Sequence, residues 1–172
     1  MLFKNHVFKQ ADSIQLLRSG NEYFSRIKQL IDNARFSIHL QVYIFDLDPT
    51  GTIILHKLIA AARRGVAIYL VVDGYASPQI TPAVIQSLKA EGIFVKRFAP
   101  FHYKSLKIGR RLHHKIVLVD EHTAIIGGIN IADKYSGYDG RTPWLDVAIE
   151  IHGKACADVK AKYSDDFAKT KD

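Results

Sequence analysis

One cysteine, Cys156, stands in a chain of 172 residues. A lone thiol excludes an internal disulfide and any zinc site built on several cysteines. Long apolar runs are missing too. The longest candidate, 52–62, is broken by His56 and Lys57 and falls short of the roughly 18–20 residues that cross a bilayer as a helix. The opening Met1-Leu2-Phe3-Lys4-Asn5-His6 lacks the apolar core and small-residue cleavage site of a secretory leader. The expectation is an intracellular protein without a membrane span. Acidic residues are in deficit: 17 Asp plus Glu face 24 Lys plus Arg, for a net charge of +7. That excess suits phosphate-rich partners such as nucleic acid, anionic lipid or phosphorylated metabolites, and it equally suits a basic protein with no such partner. Repeats, low-complexity stretches and internal boundaries are absent. Residues 1–172 therefore read as a single domain, long enough to bury a proper core.

The first half alternates helical and strand patterns. Tyr23, Phe24, Ile27, Leu30, Ile31 and Ala34 recur at helical spacing behind Asn21 as cap. In the strand that follows, Phe36, Ile38, Leu40, Val42 and Ile44 face one way, and Ser37, His39, Gln41, Tyr43 and Phe45 the other. A turn over 46–51 leads to a helix over 52–64 that Gly65 stops, then a buried strand over 66–72. Thr81-Pro82 opens a third helix that ends at Gly92, and a short strand covers 93–98. A basic loop over 100–111 carries Lys104, Lys107, Arg110 and Arg111. Strand patterns recur over 112–119, 123–126 and 145–151, before a closing helix over 153–168. The fold class is α/β: a mixed, mostly parallel sheet of about six to eight strands with helices on both faces.

Chemistry concentrates in Leu112-His113-His114-Lys115-Ile116-Val117-Leu118-Val119-Asp120. On a strand, residues two apart share a face, so His113 and Lys115 project together. An imidazole beside an ammonium is unusual in a core strand, because both must be hydrated or paired. Asp120 has the opposite parity and ends the strand, which suits a turn-fixing role. Gly127-Gly128-Ile129-Asn130 adds a backbone that a ligand can approach closely and an amide side chain. Together they make a phosphate site: Lys115 supplies charge, Asn130 and the N–H groups of Gly127 and Gly128 donate, and His113 attacks phosphorus or moves a proton. The His-x-Lys spacing alone is weak evidence, since His102/Lys104 and His152/Lys154 repeat it without the Asp and Gly-Gly-x-Asn that follow here.

The full run, His113-x-Lys115, four residues, Asp120, six residues, Gly127-Gly128-x-Asn130, resembles the HKD signature of the phospholipase D superfamily. The family usually has Gly-Ser where this chain has Gly127-Gly128, which removes one hydroxyl contact to the phosphate or nucleophile. The segments Tyr43-Ile44-Phe45-Asp46-x-Asp48-x-x-Gly51, Ala61-Ala62-Arg63-Arg64-Gly65-Val66, Val72-Asp73-Gly74-x-x-Ser77, Phe98-x-Pro100 and Trp144-Leu145-Asp146 are similar to the cardiolipin synthase branch.

The resemblance implies a histidine that forms a covalent phosphohistidine and a second histidine, from a second copy of the motif, that protonates the leaving alcohol. The lysines and asparagines of both copies hold the phosphoryl oxygens. No metal or other cofactor is needed. Asp146 takes the place of the acid that orients the imidazole, so His113 Nε2, Lys115 and Asn130 are expected in one pocket with Asp146 in hydrogen-bond reach of His113. The implied catalytic set is His113, Lys115, Asp120, Asn130 and Asp146, with Lys115, Gly127, Gly128 and Asn130 on the phosphate. The implied partners are an anionic phospholipid substrate and a second motif-bearing half, in the same natural chain or in a homodimer mate. The implied place is the inner membrane surface, held peripherally.

Two other readings stay open: a homodimeric nuclease of the same superfamily, which the positive charge suits, and a non-catalytic half-domain. Gly128 points toward the latter, and intact His113, Lys115 and Asn130 point against it. His39, Gln41 and Tyr43 are either core polar groups or ligand-lining ones. His114 and His122 lack partners at metal-binding spacing. Trp144 either packs its own loop or touches lipid.

Overall fold

The computed structural model describes residues 9–98 and 111–169. Local chemistry starts two of its helices. Asp48 accepts a hydrogen bond from Gly51 N at 3.0 Å and Pro49 follows it, while Thr81 accepts from Val84 N at 3.3 Å and Pro82 follows. Each pair satisfies an orphan N–H and presets φ for the first turn. The elements run β1 (Ser13–Arg18), α1 (Asn21–Asn33), β2 (Ser37–Val42), α2 (Pro49–Arg63), β3 (Ala67–Asp73), α3 (Pro82–Ala90), β4 (Phe94–Phe98), β5 (Lys115–Val119), β6 (Thr123–Gly127), α4 (Asp133–Ser136), β7 (Val147–His152) and α5 (Cys156–Lys169).

The strands form one seven-stranded sheet in the order β1-β7-β6-β5-β2-β3-β4. The α/β class and the strand number match expectation. The parallel character is narrower than expected: β2–β3 and β3–β4 are parallel, whereas β2–β5, β5–β6, β6–β7 and β1–β7 are antiparallel. For β5–β6 the reason is connection length. A parallel pair needs a crossover of a dozen or more residues, and only three residues separate β5 from β6. Edge strand β1 escaped the sequence pattern because five of its six side chains are exposed, leaving no alternation. Phe36, read on the same face of the strand as Ile38, precedes β2 and is largely exposed.

Helices cover both faces. α1, α2 and α3 pack Phe24, Ile27, Ile31, Ile54, Leu58 and Leu88 against Leu40, Leu70, Val95 and Val117. On the other face α5 sets Cys156 and Val159 on Ile116, Leu118, Ala124 and Ile151. That same face is exposed further along: Ile14 and Leu16 of β1 lie with Val147 and Ile149 of β7 as an apolar strip, with Leu16 paired to Ile149.

Asp120 closes the turn after β5, where it and Glu121 both adopt left-handed φ. Its carboxylate accepts from the N–H groups of Arg35 (3.0 Å), Phe36 (2.7 Å) and Ser37 (2.9 Å), and its own N–H donates to Ser37 O at 2.8 Å. The side chain thus ties the turn to the start of β2, at the end of β5 remote from Lys115.

One buried ion cluster joins α1 to the sheet. Glu150, fully buried, accepts from Arg26 at 2.8 and 2.5 Å and from His152 Nε2 at 2.8 Å. Burial alone would raise its carboxyl, but Arg26 and His152 outweigh that and hold it below the ordinary value. A carboxyl lowered in the folded state stabilises above its unfolded pKa, and the benefit fades as pH falls through the folded one. Arg26→Met should cost about 3–5 kcal/mol at neutral pH, because it strips the guanidinium from a buried carboxylate and leaves it only the His152 contact. Urea unfolding across pH should find that cost shrinking in acid, where Glu150 takes a proton.

Candidate functional site

β2, β3 and β4 end, and β5 and β7 begin, along one edge of the sheet. The carboxyl ends of parallel strands are the usual place for a site in an α/β sheet. Here the chain leaving β2 must find new partners for its backbone. Ser77, fully buried, donates from Oγ to Tyr43 O and accepts from Phe45 N, both at 3.0 Å. Ile44 N donates to Asn130 Oδ1 at 2.9 Å, Ile131 N donates to Ile44 O at 3.1 Å, and Asp46 N donates to Ile131 O at 3.0 Å. Residues 43–46 are thereby fixed from the loops after β3 and β6.

This backbone aims the Tyr43 ring. His113 stacks on it with centroids 4.5 Å apart and planes 19° from parallel, and Lys115 Nζ lies 5.2 Å from the same centroid. The approach to His113 is fixed by Asp73, fully buried. One of its oxygens accepts from Tyr75 N and Ala76 N, and the other accepts from Leu112 N at 3.0 Å. Leu112 is itself buried against Val71 and Tyr163, so His113 emerges, exposed, from an anchored neighbour.

Lys115 is half-buried and donates to His113 O at 2.8 Å. Burial lowers its ammonium pKa, and Asp146 pulls it back up through space. Asp146 sits before β7, where Ser19 grips its backbone: Ser19 N donates to Asp146 O at 3.0 Å and Asp146 N donates to Ser19 Oγ at 3.2 Å. Its Oδ1 accepts from Val147 N at 2.7 Å.

The expected site residues fall into three groups. His113 and Lys115 share the Tyr43 ring, and Asp146 is in electrostatic reach of Lys115. Among the described residues Asp146 and His113 make no hydrogen bond. The carboxylate lies against Gly128 instead, and the imidazole lies on Tyr43. Asn130 is buried, with Oδ1 on Ile44 N and Nδ2 donating to Tyr135 OH at 2.9 Å, so it joins the group through the β2 exit. Asp120 stands apart at the far end of β5. Gly128 spends its N–H on Val147 O at 3.1 Å, so that N–H is not the phosphate donor expected of it. Gly127 packs so close to β7 that a Cβ there would lie 2.5 Å from the Ala148 backbone.

Tyr43, one of the ambiguous polar residues of the early strand pattern, lies just past β2 and under the His113 ring. Gln41 is buried beneath His114, with Nε2 and Nδ1 3.5 Å apart. His39 stacks on Tyr69 at 4.8 Å with the edge of Tyr163 beside it, away from the site, and burial lowers its pKa. His114 and His122 flank β5 at opposite ends. Trp144 is exposed and carries Lys134 over its ring at 4.9 Å, and Arg111 lies 4.6 Å over exposed Tyr75. Lys104, Lys107 and Arg110 lie outside the described residues. Asp73, Ser77 and Ser19 were not singled out as site residues. The signal for the first two is their place in the segment Val72-Asp73-Gly74-x-x-Ser77, which is similar to the cardiolipin synthase branch.

The sequence matches the family described as cardiolipin synthase, PLD-like domain over residues 27–170. It is 34% identical over 156 residues to cardiolipin synthase 1 of Bacillus anthracis, covering 89% of this chain and 31% of that protein. The chain thus spans about a third of the length of that curated relative. In structure it is similar to a phospholipase D family member, Nuc from Salmonella typhimurium: TM-score 0.69, 22% identity, 93% of this chain and 97% of the other. It is also similar to phosphatidylserine synthase of Haemophilus influenzae: TM-score 0.72, 19% identity, 91% of this chain and 36% of the other. These two likenesses establish the fold.

Asn130 offers a direct check on its place in the frame. Asn130→Ala should cost about 1–3 kcal/mol of stability, since it strands Ile44 N and the Tyr135 hydroxyl. An amide that only faced ligand would leave the urea midpoint unchanged.

Proposed function

The chain belongs to the phospholipase D superfamily, within its cardiolipin synthase-like members, and from that premise we propose that it is one half of a phosphatidyl-transfer site working through a phosphohistidine. The observation that carries this is the shared platform at the sheet edge, with His113 stacked on Tyr43 and Lys115 beside the same ring. The stack fixes the imidazole plane and leaves the ring exposed, so a ring nitrogen can reach an incoming phosphorus. In the first step a P–N bond forms and the P–O bond to the leaving alcohol breaks. The second histidine supplies that alcohol's proton. In the second step the acceptor alcohol gives its proton to the second histidine, its oxygen bonds phosphorus, and the P–N bond breaks. His113 takes either role in this scheme.

Lys115 and Asn130 hold the non-bridging oxygens. The Asn130 amide nitrogen carries a second proton besides the one given to Tyr135, and that is what it offers. Asp120 and Gly127 serve the scaffold of the site. The substrate is an anionic phospholipid, and the protein works peripherally at the inner membrane surface. Among the described residues no helix is long and apolar enough to cross a membrane.

The second histidine comes from a second motif-bearing half. The relatives' greater length supports a longer natural chain, in which residues 1–172 are the N-terminal half. The exposed strip of Ile14, Leu16, Val147 and Ile149 fits such a half, because apolar surface on a sheet face favours association. A homodimer mate would supply the same histidine by two-fold symmetry.

Turnover on phosphatidylglycerol vesicles and on single-stranded DNA, measured together with solution mass, tests the proposal. Lipid turnover by an associated species is expected. His113→Ala should abolish it, Tyr43→Phe should preserve it, and Tyr43→Ala should lower it about three- to tenfold through loss of the stack. Cleavage of DNA alone would make the protein a nuclease. Full activity from a strict monomer would defeat the two-histidine scheme.

A further inference from the structure

Two adjacent glycines stand beside the site, and a side chain at each would meet different things. At Gly127 an added Cβ would lie 2.5 Å from Ala148 Cα, Ala148 Cβ and Val147 O, which are mostly backbone. At Gly128 the nearest atoms are all the carboxyl of one side chain. The Cβ would lie 2.7 Å from Asp146 Oδ2 and 2.8 Å from its Cγ, and nearer still to Oδ1. Neither glycine has a left-handed φ, so backbone freedom does not explain Gly128. The space beside its Cα is filled by the Asp146 carboxylate.

That carboxylate is held there from two sides. Val147 N bonds Oδ1 at 2.7 Å, and Ser19 fixes the Asp146 backbone through both its N–H and its carbonyl. We propose that Gly128 is a positioning residue: its missing side chain seats the Asp146 carboxylate on the Lys115 side of the sheet end, where the register Lys115↔Gly127↔Ala148 brings β5, β6 and β7 together. This rests on Lys115 as the cation that holds phosphate. Asp146 then serves the lysine, in addition to any hydrogen bond it makes to an imidazole once substrate is bound.

The surroundings of Lys115 leave this work to Asp146. Its ammonium donates to the His113 carbonyl and lies over the Tyr43 ring. The side chains facing it are the His113 imidazole at the entry to β5, the Tyr43 phenol at the exit of β2, and the Asp146 carboxyl before β7. Tyr23 of α1, fully buried, sees Asp146 and stays a neutral phenol well beyond physiological pH, through burial first and Asp146 second. Of these only Asp146 carries a carboxyl group. Burial draws the Lys115 pKa down, and Asp146 opposes it.

A double-mutant cycle on the resting protein tests this without turnover. The readout is the Lys115 pKa, followed by NMR of isotope-labelled lysine and assigned with Lys115→Arg. Gly128→Ala should fold, because what must move is the end of a side chain. It should lower the Lys115 pKa by displacing the carboxylate. Asp146→Asn should lower it by removing the charge. In the Asp146→Asn background, Gly128→Ala should add no further shift. If Gly128→Ala leaves the pKa unchanged, or lowers it as much without the Asp146 charge, the proposal falls. Should Gly128→Ala fail to fold, Gly128→Ser with Asp146→Ala replaces it. In that pair the steric conflict is gone, and the Lys115 pKa should equal that of Asp146→Ala alone. A different value would overturn the assignment. Because no substrate is involved, failure here leaves the phosphatidyl-transfer proposal standing, and loss of that proposal leaves this cycle readable.

Discussion

The site depends on four residues of irregular backbone. Tyr43 to Asp46 leave the sheet where its ladder ends, and their N–H and C=O groups must be paired or stay costly. Ser77, Asn130 and Ile131 pair them from two separate loops. Removing either loop would free Tyr43, and with it the surface on which His113 and Lys115 meet. The same segment dictates Gly51 at the start of α2: a Cβ there would overlap the Asp46 carbonyl oxygen, so α2 can approach only without a side chain. Asp48 and Asp133 complete the join. Asp133 N donates to Asp48 at 2.6 Å and Thr50 N donates to Asp133 at 2.9 Å, so α2 and α4 cap each other.

Charge is placed with the same economy. Buried Glu150 is compensated by Arg26 and His152 at the structural side of the fold, far along β7 from the site. At the site, half-buried Lys115 has an aromatic face, a carbonyl and a carboxylate held through space. A cation held this way, without a direct ion pair among the described residues, remains available to an anion.

The two parts of the sheet are covered differently. Its parallel part, β2 to β4, is covered by helices on both faces, while its antiparallel part carries β7 and β1 to an edge that α5 does not reach. The apolar strip lies on β1 and β7, whereas Lys115 lies on β5, with β6 between them.

Periodicity alone determined most of the elements. Helical spacing placed α1, and Thr81-Pro82 and Gly92 bounded α3. Alternation placed β2 and β5, because such patterns record burial in the residue types themselves. The spacing of His113, Lys115 and Asn130 marked the candidate site, and the parity of Asp120 agreed with its turn-fixing bonds to residues 35–37. Edge strand β1 was not legible, since exposed side chains leave no pattern. Nor was the role of Tyr43, Asp73 or Ser77. Each acts on a residue distant in sequence, and no local periodicity encodes which loop will meet which. Only the tertiary structure decided that Asp146 faces Gly128 and Lys115, because that contact exists once β5, β6 and β7 lie side by side.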